Sequence, residues 1–135
     1  QSLREWIQFC LRFVLLRRTA HPVLGRLMAH EMRQPTAALG ELVKLIIKPN
    51  FANLVKIVNA LAGDSLDKDG REMAAHQIVA MCVHFDHSRE VIGRLGFAVP
   101  EAEAGIARLA DSIADMALRG LGTPKTTLSK KRTSA

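Results

Sequence analysis

The sequence predicts an all-α protein, a bundle of five to six helices. Apolar residues recur at helical spacing through every long segment, with no strand-like alternation and no internal repeat. Phe, Trp and Tyr make up only 4% of a chain that is 48% hydrophobic, so the core must be built from Ala, Leu, Met, Ile and Val, which suits packed helices. Pro35, Gly63, Gly96 and Pro100 fall between the periodic segments, as helix punctuation. At 135 residues with 24% charge, the chain reads as one globular domain with a real core.

Each helix has its own justification. Ser2-Leu3-Arg4-Glu5 matches a capping box and starts a first helix over about 3–18. Arg4, Gln8 and Arg12 form a narrow wet stripe on it, while Trp6, Ile7, Phe9, Phe13, Val14 and Leu16 require a wide buried face. Pro22 opens a second helix over about 22–34, with Leu24, Leu27, Met28, Glu31 and Met32 on one face. Pro35 disfavours helical geometry at Gln34 and ends it. A third helix over about 36–62 carries one apolar stripe from Leu39 to Leu61, kinked near 45–49 because Pro49 lacks an N–H and collides with the preceding turn. Gly63 closes it, and GDSLDKDG is a polar loop.

The fourth helix runs from near Asp69 to about His87, its pattern allowing continuation to Leu95. It has two faces that avoid solvent: Ala74, Ile78, Met81, Cys82 and Phe85 on one side, and Met73, His76, Ala80, Val83, His84 and His87 on the other. Gly96 and Pro100 bracket the next loop. The last helix, about 101–121, places Ile106, Leu109, Ile113, Met116 and Ala117 on one side and is rich in small residues that permit close approach. A helical domain spans 1–122, and 123–135 is expected to be a basic disordered tail.

The net charge of +6 is carried mostly by that tail. Without Lys125, Lys130, Lys131 and Arg132, 15 basic residues face 13 acidic ones, a balance of +2 that excludes a nucleic-acid-binding surface on the body. No window approaches the roughly 18 apolar residues of a membrane span. Gln at position 1 suggests a fragment of a longer chain. Cys10 and Cys82 read as buried free thiols of a reducing compartment. There is no glycine-rich phosphate loop, no G-x-S-x-G and no Tyr, so no enzyme is expected.

The order of elements and several short motifs resemble the C-terminal regulatory domain of TetR-type transcriptional repressors. Residues 31–36, Glu-Met-Arg-Gln-Pro-Thr, resemble the R-E-M-x-x-P-T pattern of one subgroup, with His30 in place of its arginine. Lys48-Pro49-Asn50-Phe51 resembles that subgroup's R-P-x-F, Phe85-Asp86-His87-Ser88-Arg89 its F-x-H-x-R, and Asp115 to Leu121 a common closing pattern. The likeness spans about residues 3–121; the helix-turn-helix domain that should precede it is absent from this sequence. The resemblance implies a cytoplasmic ligand sensor that homodimerises through its last two long helices as a four-helix bundle. DNA would be contacted only through the missing N-terminal domain, with no membrane and no cofactor.

The expected effector is a partly apolar small molecule. Phe9, Phe13, Met28, Glu31, Met32, Phe51 and Phe85 are the candidate ligand-binding residues, alongside Cys10 as a possible wall residue, though Met and Phe at helical spacing also serve as plain core. Met73, His76, Ala80, His84, His87, Ile106, Leu109 and Ile113 are the candidate dimer interface. Glu31 has two readings: a cavity-wall acid for a ligand donor, or a structural acid paired with Arg12, Arg17 or a helix start. The second carries more weight, since charges are seldom buried unless paired. His84 and His87 with His76 could hold a metal, but no H-x-x-x-H pair or cysteine cluster supports it, and none is expected. An all-helical His-rich metal-binding protein and a helical interaction adaptor stand as alternatives.

Overall fold

A computed structural model describes residues 1–122, and all regular structure among them is helical. The basic tail expected at 123–135 lies outside the described residues. Helix α1, Leu3–Ala20, begins with the capping box: Glu5 N donates to Ser2 Oγ at 3.2 Å, and Ser2 N donates to Glu5 Oε2 at 2.8 Å. Leu3, Trp6, Ile7, Leu11, Val14 and Leu15 are buried, so α1 is the axis about which the other helices pack. Its wet stripe is tied to the last helix, with Arg4 bonded to Asp111, and Arg12 to Glu103 at 2.8 Å. The Trp6 indole donates to the Asn50 carbonyl at 3.0 Å, which satisfies the one polar atom of a buried ring.

Helix α2, Pro22–Arg33, ends where Pro35 forces Gln34 out of helical geometry. Helix α3, Ala37–Leu42, begins on Thr36, whose hydroxyl accepts from Ala38 N at 3.2 Å. The expected kink takes a definite form, a π-helical turn over Val43–Ile47 leading into α4, Lys48–Ala62. Lys48 N–H reaches back five residues to the Val43 carbonyl. The wider turn makes room for Pro49, which then occupies the first turn of α4, where no N–H is needed. The stretch Ala37–Ser65 is consequently one long rod and, contrary to the sequence expectation, passes by length and composition alone for a membrane-crossing helix, an 18-residue window of it having mean hydropathy 1.2. It is amphipathic, though: Leu42, Leu54, Val58 and Ala62 face the core while Lys44, Lys48, Asn53, Lys56 and Asn59 are exposed.

Gly63, at φ +53°, turns the chain out of α4 through a 3-10 turn, Gly63–Ser65. Helix α5, Lys68–His87, starts on Asp67, which accepts from Gly70 N at 2.8 Å. It stops at Ser88 rather than running on to Leu95; a separate short α6, Arg89–Arg94, follows. Helix α7, Glu103–Gly122, packs along α1. One core joins α1, α4, α5 and α7 through residues such as Ile7, Leu11, Leu54, Ile78, Ile106 and Ala110.

Two proposed interface residues are corrected by this core. Ile106 is 0% exposed and Ile113 5%, both covered by helices of the same chain. On α7 Ala114, Ala117 and Leu121 are buried along with them, and the open positions, such as Arg108, Asp111, Ser112, Asp115 and Met116, lie off this stripe. The small residue Ala110 is likewise buried in this packing.

Candidate ligand cavity

Helix α1 turns Trp6, Phe9, Cys10, Phe13, Val14 and Arg17 toward one side, a set spaced by three or four residues as a single helical face. Opposite stand Met28 and Met32 of α2. The π turn and the start of α4 contribute Val43, Ile46, Ile47, Lys48, Asn50 and Phe51, and α5 closes the space with His76, Val79 and Val83. These walls enclose about 440 Å³. The lining is aromatic and aliphatic with a few polar groups, the composition of a small-molecule site. The cavity is open at the surface beside Phe9, Met32 and Val43, which are themselves exposed.

Ile46, Ile47, Asn50 and Phe51, spaced i, i+1, i+4 and i+5 from the π turn into α4, share one helical face and border the same space. Asn50 is held by its amide, which donates to the Ile46 carbonyl at 2.8 Å. The Phe51 ring lies 4.5 Å from the His76 imidazole, bracing α4 against α5 at the cavity edge.

Among the candidate ligand residues, Phe9, Phe13, Met28, Met32 and Phe51 stand on this wall. Phe85 does not; it is half-buried on α5 with its ring 6.1 Å from Phe97, in the cluster at the other end of the helix. Glu31 does not either. It is only 2% exposed, and its carboxylate is used within the chain: Thr36 N donates to Oε2 and Thr36 Oγ1 donates to Oε1, each at 2.7 Å. His30 Nδ1 lies a further 3.5 Å from Oε1. These bonds from Thr36, the backbone one foremost, hold the Glu31 carboxyl below the usual carboxylate range. The acid on the apolar face thus fastens the end of α2 to the start of α3. The two arginines considered as its partners are engaged elsewhere, Arg12 with Glu103 at 2.8 Å and Arg17 with Asp86 at 2.6 Å.

His76 moves from the interface set to the cavity wall, because α5 presents it toward Phe51. His84 and His87 are exposed on α5 and do not join it. Among the described residues no group of three or more His, Cys, Asp or Glu side chains converges. Trp6, Arg17, Lys48, Asn50, Val79 and Val83 were not anticipated on the wall. The i, i+4, i+7, i+11 run of Trp6, Cys10, Phe13 and Arg17 is the sequence signal that could have found the α1 part.

A second feature is an open groove of about 700 Å³ between α5 and α7. Met73, Gln77 and Met81 line one side and Met116 and Gly120 the other. Met73 is 61% and Met116 65% exposed, which leaves a large apolar side chain open on each side of the groove. Ala80 is exposed near it on α5, and Leu109 is half-buried at the edge of a neighbouring depression by the α6–α7 loop.

A buried lengthwise helix, a kinked rod and a final helix along the first make up the frame of the chain. Residues 1–121 match the family model described as the C-terminal domain of the HTH-type transcriptional dual regulator CecR, and the chain belongs to that family. No curated protein and no solved structure matches the chain.

Proposed function

We propose that the chain is the effector-sensing and homodimerising domain of a TetR-type regulator, acting in the cytoplasm without catalysis or cofactor. The observation that carries this reading is the 440 Å³ aromatic-lined cavity, which shares α5 with the open methionine groove. A partly apolar effector seated against Phe9, Phe13, Met28, Met32 and Phe51 would push on α5 from one side while a second copy rests on the other. Two DNA-reading heads carried outside this segment would then change their spacing. Such coupling requires only that the effector bind one arrangement more tightly than the other.

For the dimer, the face offered is Met73, Gln77, Ala80, Met116 and Gly120, with Leu109, His84 and His87 toward its rim. Ile106, Ile113 and His76 are not part of it. A stable pairing would bury roughly 1,200–2,000 Å² in total. A helical adaptor without a ligand site is the weaker reading, since it gives the cavity no role.

The test is binding of a fluorescent apolar dye to the purified chain, compared with a Val79→Trp variant that fills the cavity. Saturable binding lost in the variant, with the helical circular-dichroism signal retained, supports the reading. Equal binding by both proteins overturns it.

A further inference from the structure

Cys10 and Cys82 are the only cysteines in the sequence, and the packing of α1 on α5 brings them together. Their side chains interact across the α1–α5 packing. Their surroundings differ. Cys82 is wholly buried in the core, whereas Cys10 is half-buried and stands on the wall of the apolar cavity. One sulfur of the pair can therefore be reached by a molecule in the cavity, and the other waits directly behind it. Neither has a role in the sensing mechanism described above.

We infer that Cys10 and Cys82 form a redox-active dithiol that reacts with organic hydroperoxides admitted through the cavity, Cys10 as the attacking thiol and Cys82 as the resolving one. This rests on the cavity being an entry for small apolar molecules, and it names one chemical class for it.

The assignment of roles follows from access, since Cys10 borders the cavity and Cys82 is wholly buried in the core. The interaction between the thiols holds Cys10 below its ordinary range, while that interaction and burial push Cys82 up. Cys10 thiolate attacks the terminal oxygen of the hydroperoxide. The O–O bond breaks, the alkoxide leaves and takes up the proton released by Cys10, and Cys10 becomes a sulfenic acid. The Cys82 sulfur then attacks the Cys10 sulfur; the S–O bond breaks and hydroxide departs as water with the Cys82 proton. Two thiols and one hydroperoxide give one disulfide, one alcohol and one water. The new bond ties α1 to α5 at the cavity wall, on the helix that also bears the open methionine face.

The lining selects the oxidant. Phe9, Phe13, Phe51, Met28 and Val79 favour an alkyl or aryl group over water, so hydrogen peroxide gains nothing from the site. The reduced full chain is treated with cumene hydroperoxide or hydrogen peroxide, and intact mass and free thiols are followed without reductant. Expected is loss of two hydrogens in mass and of both thiols within a single chain, at least about tenfold faster with cumene hydroperoxide. Cys82→Ser should stop at one added oxygen on Cys10, trapped by dimedone, and Cys10→Ser should not react. Thiols that persist while glutathione in the same tube is oxidised would overturn the inference, as would an interchain disulfide or equal rates with the two oxidants. Displacement of a cavity-bound dye by cumyl alcohol is measured alongside. If the alcohol displaces dye but the thiols stay reduced, the dithiol role falls and the sensing cavity stands; if neither occurs, both fall.

Discussion

Removing Asp86 should expose how strongly α1 and α5 are clamped beside the cavity. Asp86 is on α5 and its side chain is only 9% exposed. Its Oδ2 accepts from Arg17 Nη2 of α1 at 2.6 Å, and Arg89 Nη2 lies 3.8 Å from its Oδ1, an oxygen with no hydrogen-bond partner among the described residues. Arg89 has other acceptors, the Leu15 carbonyl at 3.4 Å and Glu101 at 3.6 Å, but no other ion pair is formed by Arg17 among the described residues. Asp86→Ala therefore strands the Arg17 guanidinium at the cavity wall. Breaking a fully buried pair costs about 3–5 kcal/mol; with both partners slightly open to solvent, about 3 kcal/mol is expected. For a chain of this size that lowers the melting temperature by roughly 10 °C. The assay is thermal unfolding followed by circular dichroism, with the double variant Arg17→Met, Asp86→Leu as control. Replacing both charges by apolar groups should recover most of the loss, since the pair repays little beyond its own desolvation. A drop of under about 2 °C in Asp86→Ala would show that Arg17 is already solvated through the cavity, and the clamp argument would be wrong.

Other substitutions probe other parts of the structure. Leu54→Ala, at a fully buried position where α4 meets the core, should cost about 2–5 kcal/mol in urea unfolding with an unchanged slope. Glu31→Gln should lower stability at neutral pH and flatten its acid dependence. A carboxyl held below 4.5 in the folded chain contributes fully above its unfolded value and loses that contribution as pH falls through the folded one, so melting temperatures should converge with the wild type in acid. Met116→Glu, at an exposed position in the α5–α7 groove, should leave the helical signal intact and shift the sedimentation of the proposed dimer toward the monomer. Identical sedimentation at all concentrations would refute that interface.

Local chemistry was readable along the chain. Ser2 and Glu5 announce a capping box by their spacing, and the box is formed. Pro35 marks a helix boundary because its ring acts on its immediate neighbour, and Pro49 announces a distortion because the missing N–H belongs to a bond only a turn away. An acid amid Leu24, Leu27 and Met28 had to find donors, and Thr36, five residues on, supplies them. In all of these the cause and the partner lie within a turn or two of each other.

Tertiary packing decided what depends on which helix lies alongside which. Ile106 and Ile113 are apolar on either account; only the docking of α7 along α1 makes them core instead of surface. His76 reads the same as His84 in sequence and both are exposed, yet His76 meets Phe51 across the helices at the cavity while His84 meets its chain neighbour Phe85. Phe85 has the composition of a cavity residue and sits at the wrong end of α5 for it. Arg17 finds Asp86, 69 residues away, and not Glu31. The physical reason is that periodicity tells a helix which sides avoid water but says nothing about the neighbour each side will meet. The sequence by itself therefore determined the long helices, most of their ends and their apolar stripes, though not the separate α6, and the three-dimensional arrangement alone decided which faces became core, cavity or open groove.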